Sequence, residues 1–427
     1  MIFRVFYILI LFIFSAFGSI AQDINYARKI IDTLCSESMH GRGFVNDGDK
    51  IAANYIKDRY SEAKLKFFTD DYFQYFTVSL NVLPKKIFFK INNNELVPAV
   101  DYLVSSASPS TKGTFKVVTL NKDVISNEQK FEKFKSNNFY DKVLIVDRKG
   151  VEDTVQRELF DALKYYNIFK AKGIINIVDG KLSWRLSDAI QKADYFTINL
   201  LREKYIDTVK EVTVDINSSY YKNYKTQNVI GYISGKSKPD SFIVFTAHYD
   251  HLGQMGENVY FPGANDNACG VAASLDLAKF YSKPENQQEY SVAFIAFSGE
   301  ETGLFGSKYF CENPLFPLDK IKFLINLDVI GTGEDGITVV NGTKFEKEFN
   351  AIVKINDEKK YFKTVNKRGE AANSDHYYFY KNGVKAVFIY TMGGKVEGHS
   401  INDNPGKLPM TKYNELFKLI TEFVSTF

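Results

Sequence analysis

Two histidines and a set of acidic residues fall directly behind apolar runs in the second half of the chain. Phe242-Ile243-Val244-Phe245-Thr246-Ala247 leads into His248-Tyr249-Asp250-His251, and Val292 to Phe297 leads into Ser298-Gly299-Glu300-Glu301. Leu324-Ile325-Asn326-Leu327 ends at Asp328, and Val387-Phe388-Ile389-Tyr390 leads through a glycine loop to His399. A fifth segment, Pro262-Gly263-Ala264-Asn265-Asp266-Asn267-Ala268-Cys269-Gly270, sets Asp266 in a glycine-bounded loop ahead of a helix, where backbone amides could steer its carboxylate. If the apolar runs are strands of one open α/β sheet, these side chains gather at its carboxyl edge, where such sheets bind ligands. Carboxylates crowded on one edge raise one another's pKa unless cations neutralise them. Imidazole nitrogen and carboxylate oxygen suit hard or borderline divalent ions, and two such ions ~3.5–4 Å apart can share one bridging carboxylate. Two histidines and three acidic ligands, with Asp266 central in chain order, fit a two-metal site. Thiolates are not part of it: Cys35, Cys269 and Cys311 are too few and too scattered for a sulfur site or a disulfide framework.

The elements that must hold these residues follow from periodicity. After Thr226 the chain alternates strand and helix signals: Asn228 to Ile233, Phe242 to Ala247, a helix from Val271 to Tyr281, Val292 to Phe297, Phe323 to Leu327, Ile337 to Val340, a helix from Phe345 to Ile355, Ala386 to Tyr390, and a last helix from Tyr413 to Phe427. Apolar strands without alternation predict an α/β fold, a central sheet covered by helices on both faces. Earlier, Ile24 to Leu65 reads as two helices around the break His40-Gly41-Arg42-Gly43, and Phe73 to Val78 and Val212 to Ile216 read as extended. Between them Lys142 to Asp147 and Gly173 to Val178 are buried-strand runs, with helical spacing from Glu158 to Ala171. The expected domains are a scaffold of 22–85 with 209–427 and an insertion of 86–208. Residues 1–21 read as a signal peptide: Arg4, an apolar stretch from Val5 to Phe17, and the small-x-small pattern Ser19-Ile20-Ala21. The expectation is export to a periplasmic or extracellular location, with no membrane span in the mature chain. Lys+Arg 54 against Asp+Glu 51 is too balanced for a nucleic-acid binder working through a basic field.

His248-x-Asp250, Gly263-Ala264-Asn265-Asp266-Asn267-Ala268-Cys269-Gly270, Glu300-Glu301-x-Gly303-Leu304-x-Gly306-Ser307, Asn326-Leu327-Asp328 and Gly398-His399-x-x-x-Asp403 resemble, in order and spacing, the motifs of the di-zinc exopeptidase family. That family contains the bacterial leucyl aminopeptidases, glutamate carboxypeptidase and glutaminyl cyclase. His40-Gly41-Arg42-Gly43 and Ser374-Asp375-His376 are similar to segments of its secreted bacterial members, and 86–208 resembles a protease-associated domain. The resemblance implies a mostly parallel mixed sheet and two zinc ions, one on His248 and Asp328, one on Glu301 and His399, with Asp266 bridging. It makes Glu300 the general base: a water between the ions would pass its proton to Glu300, attack the peptide carbonyl, and the proton would go on to the leaving amine. Asp250 would orient the His248 imidazole through its other nitrogen.

The same resemblance implies an aminopeptidase acting on peptides with a free N-terminus. A carboxypeptidase of the glutamate-releasing type is the alternative, then a glutaminyl cyclase, disfavoured by the presence of His248, and then a non-catalytic receptor-like ectodomain, disfavoured by the full ligand set with Glu300. His251 is expected to pack or hydrogen-bond near the rim, Asp375 and His376 to brace the active-site loop, and His40 with Arg42 to organise a loop near the cleft. Cys269 is expected to be a small buried residue rather than a nucleophile, and Tyr377-Tyr378-Phe379-Tyr380 to be core or rim packing.

Overall fold

The computed structural model describes residues 24–427, apart from the side chain of Lys164. The leader expected at 1–21 lies outside the described residues. Two eight-stranded sheets form the molecule. The first contains β1 (Phe73–Val82), β10 (Ser219–Ile233), β11 (Lys238–His248), β12 (Tyr290–Phe297), β13 (Ile321–Leu327), β14 (Gly336–Val340), β15 (Val365–Lys367) and β16 (Ala386–Met392), in the order β1-β10-β12-β11-β13-β16-β14-β15. Its four central strands β12, β11, β13 and β16 run parallel. The flanking pairs β1/β10, β10/β12 and β14/β16 are antiparallel, so the sheet is mixed with a parallel heart.

The helices are α1 (Ile24–Leu34), α2 (Gly48–Glu62), α3 (Lys122–Ile125), α4 (Glu128–Lys135), α5 (Thr154–Tyr165), α6 (Cys269–Tyr281), α7 (Phe305–Glu312), α8 (Glu346–Lys359), α9 (His376–Lys381) and α10 (Tyr413–Val424). Alternate residues of one strand serve opposite faces of the first sheet. Ile243, Phe245 and Ala247 of β11 pack with α1, α2, α6, α8 and α10, whereas Phe242 and Val244 pack with α7 and α9. Burial on both faces is why these strands lack polar alternation. Helix α1 buries Ala27, Ile30, Ile31 and Leu34, a single helical stripe.

The second sheet holds β2 (Phe88–Ile91), β3 (Asn94–Glu95), β4 (Tyr102–Val104), β5 (Thr111–Leu120), β6 (Val143–Val146), β7 (Gly173–Val178), β8 (Phe196–Leu201) and β9 (Glu211–Ile216), in the order β3-β2-β9-β5-β6-β7-β8-β4. Sequence reading grouped Val212 to Ile216 with the scaffold. In the structure β9 pairs with β2 and β5, and its buried Val212, Val214 and Ile216 face the second sheet's core. The helix expected over 158–171 lies earlier: Asp153 caps it by accepting from the Gln156 amide, and it stops at Tyr165. One face of this sheet packs on Phe44, Leu252, Met255 and Phe261, which belong to loops around the carboxyl edge of the first sheet. The other face is covered by α4 and α5. Among the described residues no helix is long and apolar enough to cross a membrane.

Candidate metal centre

The parallel strands end side by side, and their continuations converge. His248 is the last residue of β11, Asp328 follows β13, and Glu300 and Glu301 lie in the turn after β12. Because β12 has already ended at Phe297, the two neighbouring glutamates are free of strand alternation, and both line the same cleft of about 360 Å³. His248, Asp266, Asp328 and His399 line it as well. Asp266 comes from the loop ahead of α6, where the Asp266-Asn267 peptide is cis.

Asp266 stands between two sets of donors. Its Oδ1 lies 3.2 Å from His248 Nε2, which is 3.3 Å from Asp328 Oδ1. Its Oδ2 lies 3.0 Å from His399 Nε2, which is 3.3 Å from Glu301 Oε2. Four-coordinate zinc, with ligand bonds of about 2.0–2.2 Å, sets its ligand atoms roughly 3.3–3.6 Å apart. The spacing and chemistry of both sets therefore fit such an ion.

Both imidazoles are also held in the tautomer a metal needs. His248 Nδ1 faces the Asp250 main-chain carbonyl at 3.1 Å, and His399 Nδ1 faces the Trp184 carbonyl at 3.1 Å. A carbonyl can only accept, so each neutral ring carries its hydrogen on Nδ1 and presents the Nε2 lone pair to the cleft. Asp250 was expected to orient His248 with its carboxylate. Instead that carboxylate lies 3.8 Å from Nδ1 and accepts from the Glu300 and Glu301 amides at 3.2 and 3.3 Å. The Asp250 main chain orients the imidazole, while the side chain shapes the glutamate turn.

The amides of the Asp266 loop are likewise used differently from the sequence expectation. The Asn265 and Asp266 N–H groups donate to the Asp403 carboxylate at 2.8 and 3.0 Å, which leaves the Asp266 carboxylate to the imidazoles. Arg42 sits behind this loop, fully buried. It donates to the carbonyls of Tyr249 (2.7 Å), Leu34 (2.9 Å), Pro262 (2.5 Å) and Gly263 (2.8 Å). On the far side, Thr246 Oγ1 bonds Asn326 Oδ1 (2.6 Å), Asn326 donates to Ser374 Oγ (2.7 Å), and Ser374 donates to the second oxygen of Asp328 (2.7 Å).

Electrostatics follow from this crowding. Burial pushes the Glu300 carboxyl well above the usual value; His248 pulls it back, while Glu301 and Asp328 push it further up. Burial likewise raises Asp250 and Asp375 to about 7. For His248 and His399 burial works against protonation, but the facing carboxylates outweigh it. His248 is held well above its usual value by Asp328 and Glu300, and His399 at about 10 by Glu301 and Asp266. Asp266 is held well below the usual carboxyl value, since its bonds to His248 and His399 overcome its own burial.

Other residues singled out from sequence also have clear positions. His251 is not at the rim: it is wholly buried, with Nδ1 2.7 Å from Glu301 Oε1. Gly263 (φ 61°) permits this, because a Cβ there would lie 2.4 Å from the His251 ring. His376 is buried against Phe388 and lowered to about 4 by that burial. Cys269 is buried at the start of α6, its thiol donating to the Asn265 carbonyl at 3.1 Å. Phe379 is in the core, with Tyr378 and Tyr380 packed at its margin. Sequence reading missed the roles of Ser374, Asp403 and Trp184. For Asp403 the signal was its fixed distance from His399; for Trp184 there was none.

Residues 228–424 match the family model described as peptidase family M28. This segment is a peptidase family M28 domain. Aminopeptidase YwaD of Bacillus subtilis is 28% identical over 187 residues, covering 42% of this chain. A probable zinc metalloprotease of Pyricularia oryzae is 33% identical over 116 residues, covering 26% of it. The chain spans only 39% and 23% of the length of these two relatives. Among solved structures, a zinc aminopeptidase from Bacillus subtilis superposes with a TM-score of 0.68 at 20% identity, covering 94% of each chain. A peptidase M28 precursor from Shewanella amazonensis superposes with a TM-score of 0.67 at 16% identity, covering 95% of this chain and 93% of that one. The shared architecture of the M28 domain and the second sheet is thus a property of the whole fold.

Proposed function

We propose that this protein is an exported metallo-exopeptidase, an aminopeptidase that removes residues from peptides with a free N-terminus. The observation that carries this reading is the splitting of the Asp266 carboxylate between His248 with Asp328 and His399 with Glu301. Two zinc ions would be held by these five side chains, with Asp266 common to both. When bound, such ions supply Lewis acidity at the peptide carbonyl and lower the pKa of a water. Glu300 lines the cleft without being one of the five ligands, and acts as general base and then acid, taking the water's proton and returning it to the leaving amine. Asp250 holds the Glu300 amide, and Ser374 holds Asp328. The names of the relatives support peptide substrates and zinc. Residues 86–208 would be a protease-associated-like insertion, and residues 1–21 a leader that directs export.

One observation favours a second reading. Arg368 lines the same cleft, so a substrate carboxylate has a cationic partner there. A carboxypeptidase would use it for the free carboxyl end.

The two readings part on a digest of matched peptides, one set N-terminally blocked and one C-terminally amidated. Loss of turnover on N-terminal blocking supports the aminopeptidase; loss only on amidation replaces it with the carboxypeptidase. Glu300→Gln should lower kcat by about 10²–10⁴-fold with the zinc content unchanged, whereas Asp266→Ala should lose zinc. Equal zinc loss in both variants would mean that the base and the ligand have been confused.

A further inference from the structure

The two donor sets are not supported alike. His248 is oriented by its own strand end, and Asp328 by Ser374, all within the first sheet and its loops. His399 is oriented from the second sheet. Trp184, in the connection between β7 and β8, accepts from His399 Nδ1 at 3.1 Å, and its own amide donates to the His399 carbonyl at 2.9 Å. Both ends of one ligand residue are therefore gripped by one residue of the other sheet.

The Trp184 side chain is itself fixed from two sides. Its indole Nε1 donates to the Val104 carbonyl on β4 at 2.7 Å. Its ring stacks on Phe261 with centroids 4.9 Å apart and planes 15° apart. Phe261 immediately precedes Pro262 and Gly263, so the stack also bears on the loop that delivers Asp266. Farther out, Lys181 pairs with Glu397 at 2.8 Å, tying the same two loops together at the surface. His399 lies at a left-handed φ of 57° with a partly exposed ring.

We propose that the second sheet is a working part of the metal centre: through Trp184 it positions His399 and confers affinity on the ion held by His399 and Glu301, leaving the ion at His248 and Asp328 independent of it. This rests on the two-ion reading above. A partner that fixes a ligand imidazole typically contributes about 10–100-fold in metal affinity. Linkage makes the effect reciprocal, so zinc at this position stabilises the seating of the Trp184 loop. Trp184 is the chain's single tryptophan, so its fluorescence reports on that loop alone.

The test uses the full chain, apo and titrated with zinc against a chromophoric chelator, with indole fluorescence followed in parallel. Wild type should take up two ions, with the fluorescence changing as one of them, the ion at His399 and Glu301, binds. Trp184→Ala should keep one affinity and weaken the other by about 10–100-fold. Trp184→Phe, which retains the stack, should restore most of the loss. Lys181→Glu changes an exposed side chain, leaves folding intact, and sets repulsion against Glu397. It should weaken the same ion by about two- to fivefold. Two unchanged affinities in Trp184→Ala and Lys181→Glu, or equal weakening of both ions, would overturn the coupling. So would a wild-type fluorescence signal that follows neither ion. A wild-type chain that binds no zinc overturns the metal-site reading itself, and the coupling with it.

Discussion

Arg42→Met removes the one side chain that ties the end of α1, the residue after His248 and the loop of Asp266 to one another. The guanidinium is fully buried and gives hydrogen bonds of 2.9 Å or less to four main-chain carbonyls, those of Leu34, Tyr249, Pro262 and Gly263. Methionine fills similar volume but donates nothing. Each carbonyl left without a partner costs about 1 kcal/mol, the low end for a buried acceptor, because a carbonyl has a second lone pair to offer elsewhere. The Gly263 carbonyl keeps the Ala268 amide at 3.1 Å, so the other three amount to about 3 kcal/mol, and relief from desolvating a guanidinium returns some of it, leaving a net loss of about 2 kcal/mol. For a chain of this size that is a fall in Tm of roughly 2 °C. The loss is concentrated where Asp266 is held, so zinc binding should weaken too, and saturating zinc should recover part of the Tm. Differential scanning fluorimetry with and without zinc, alongside a zinc titration, measures both effects. A variant melting within about 1 °C of wild type, with the same zinc affinity, would refute the role given to Arg42.

Three further outcomes are expected. Ser374→Ala breaks the chain from Thr246 through Asn326 to Asp328 and should reduce zinc affinity by about 10-fold or more in a chelator competition; an unchanged affinity would show that Asp328 needs no help. Chelation of bound zinc should lower Tm and stop release from unblocked peptides, and added zinc should restore both; activity that survives full metal removal rules out the metal mechanism. Asp49 is buried under the Tyr224 and Thr226 hydroxyls, and burial pushes its carboxyl from 3.8 to about 6. Between those values the folded chain binds a proton that the unfolded chain has lost, so this group makes stability fall as pH rises, by roughly 3 kcal/mol for about two units. Asp49→Asn should therefore gain on wild type between pH 4 and pH 7 in urea unfolding; a constant difference across that range would contradict the assignment.

What the sequence made legible is what strand periodicity and strand ends can encode. Unalternating apolar runs marked β11, β12, β13 and β16 because both of their faces are buried, and each reactive residue after a run was legible because a parallel sheet lines up its carboxyl ends. Less legible was everything that depends on which main-chain groups meet. Asp403 takes the amides expected to serve Asp266, and the Asp250 carbonyl rather than its carboxylate faces His248, because a loop's amides and carbonyls carry no residue-type signature. His251 looked like a rim residue because only the close approach allowed by Gly263 draws it under Glu301.

Trp184 marks the limit of that kind of reading. It acts on His399 through its own amide and carbonyl, so even a correct placement of the second sheet's strands would not have revealed the contact. The contact exists because the sheets pack around Phe44, Leu252 and Phe261, and the side chain serves to anchor a backbone. A residue of that sort can be replaced by any other that holds the same backbone in place. The Trp184 position should therefore tolerate other aromatic side chains far better than small ones, whereas the imidazole at 399 should tolerate no replacement that lacks a metal-binding nitrogen.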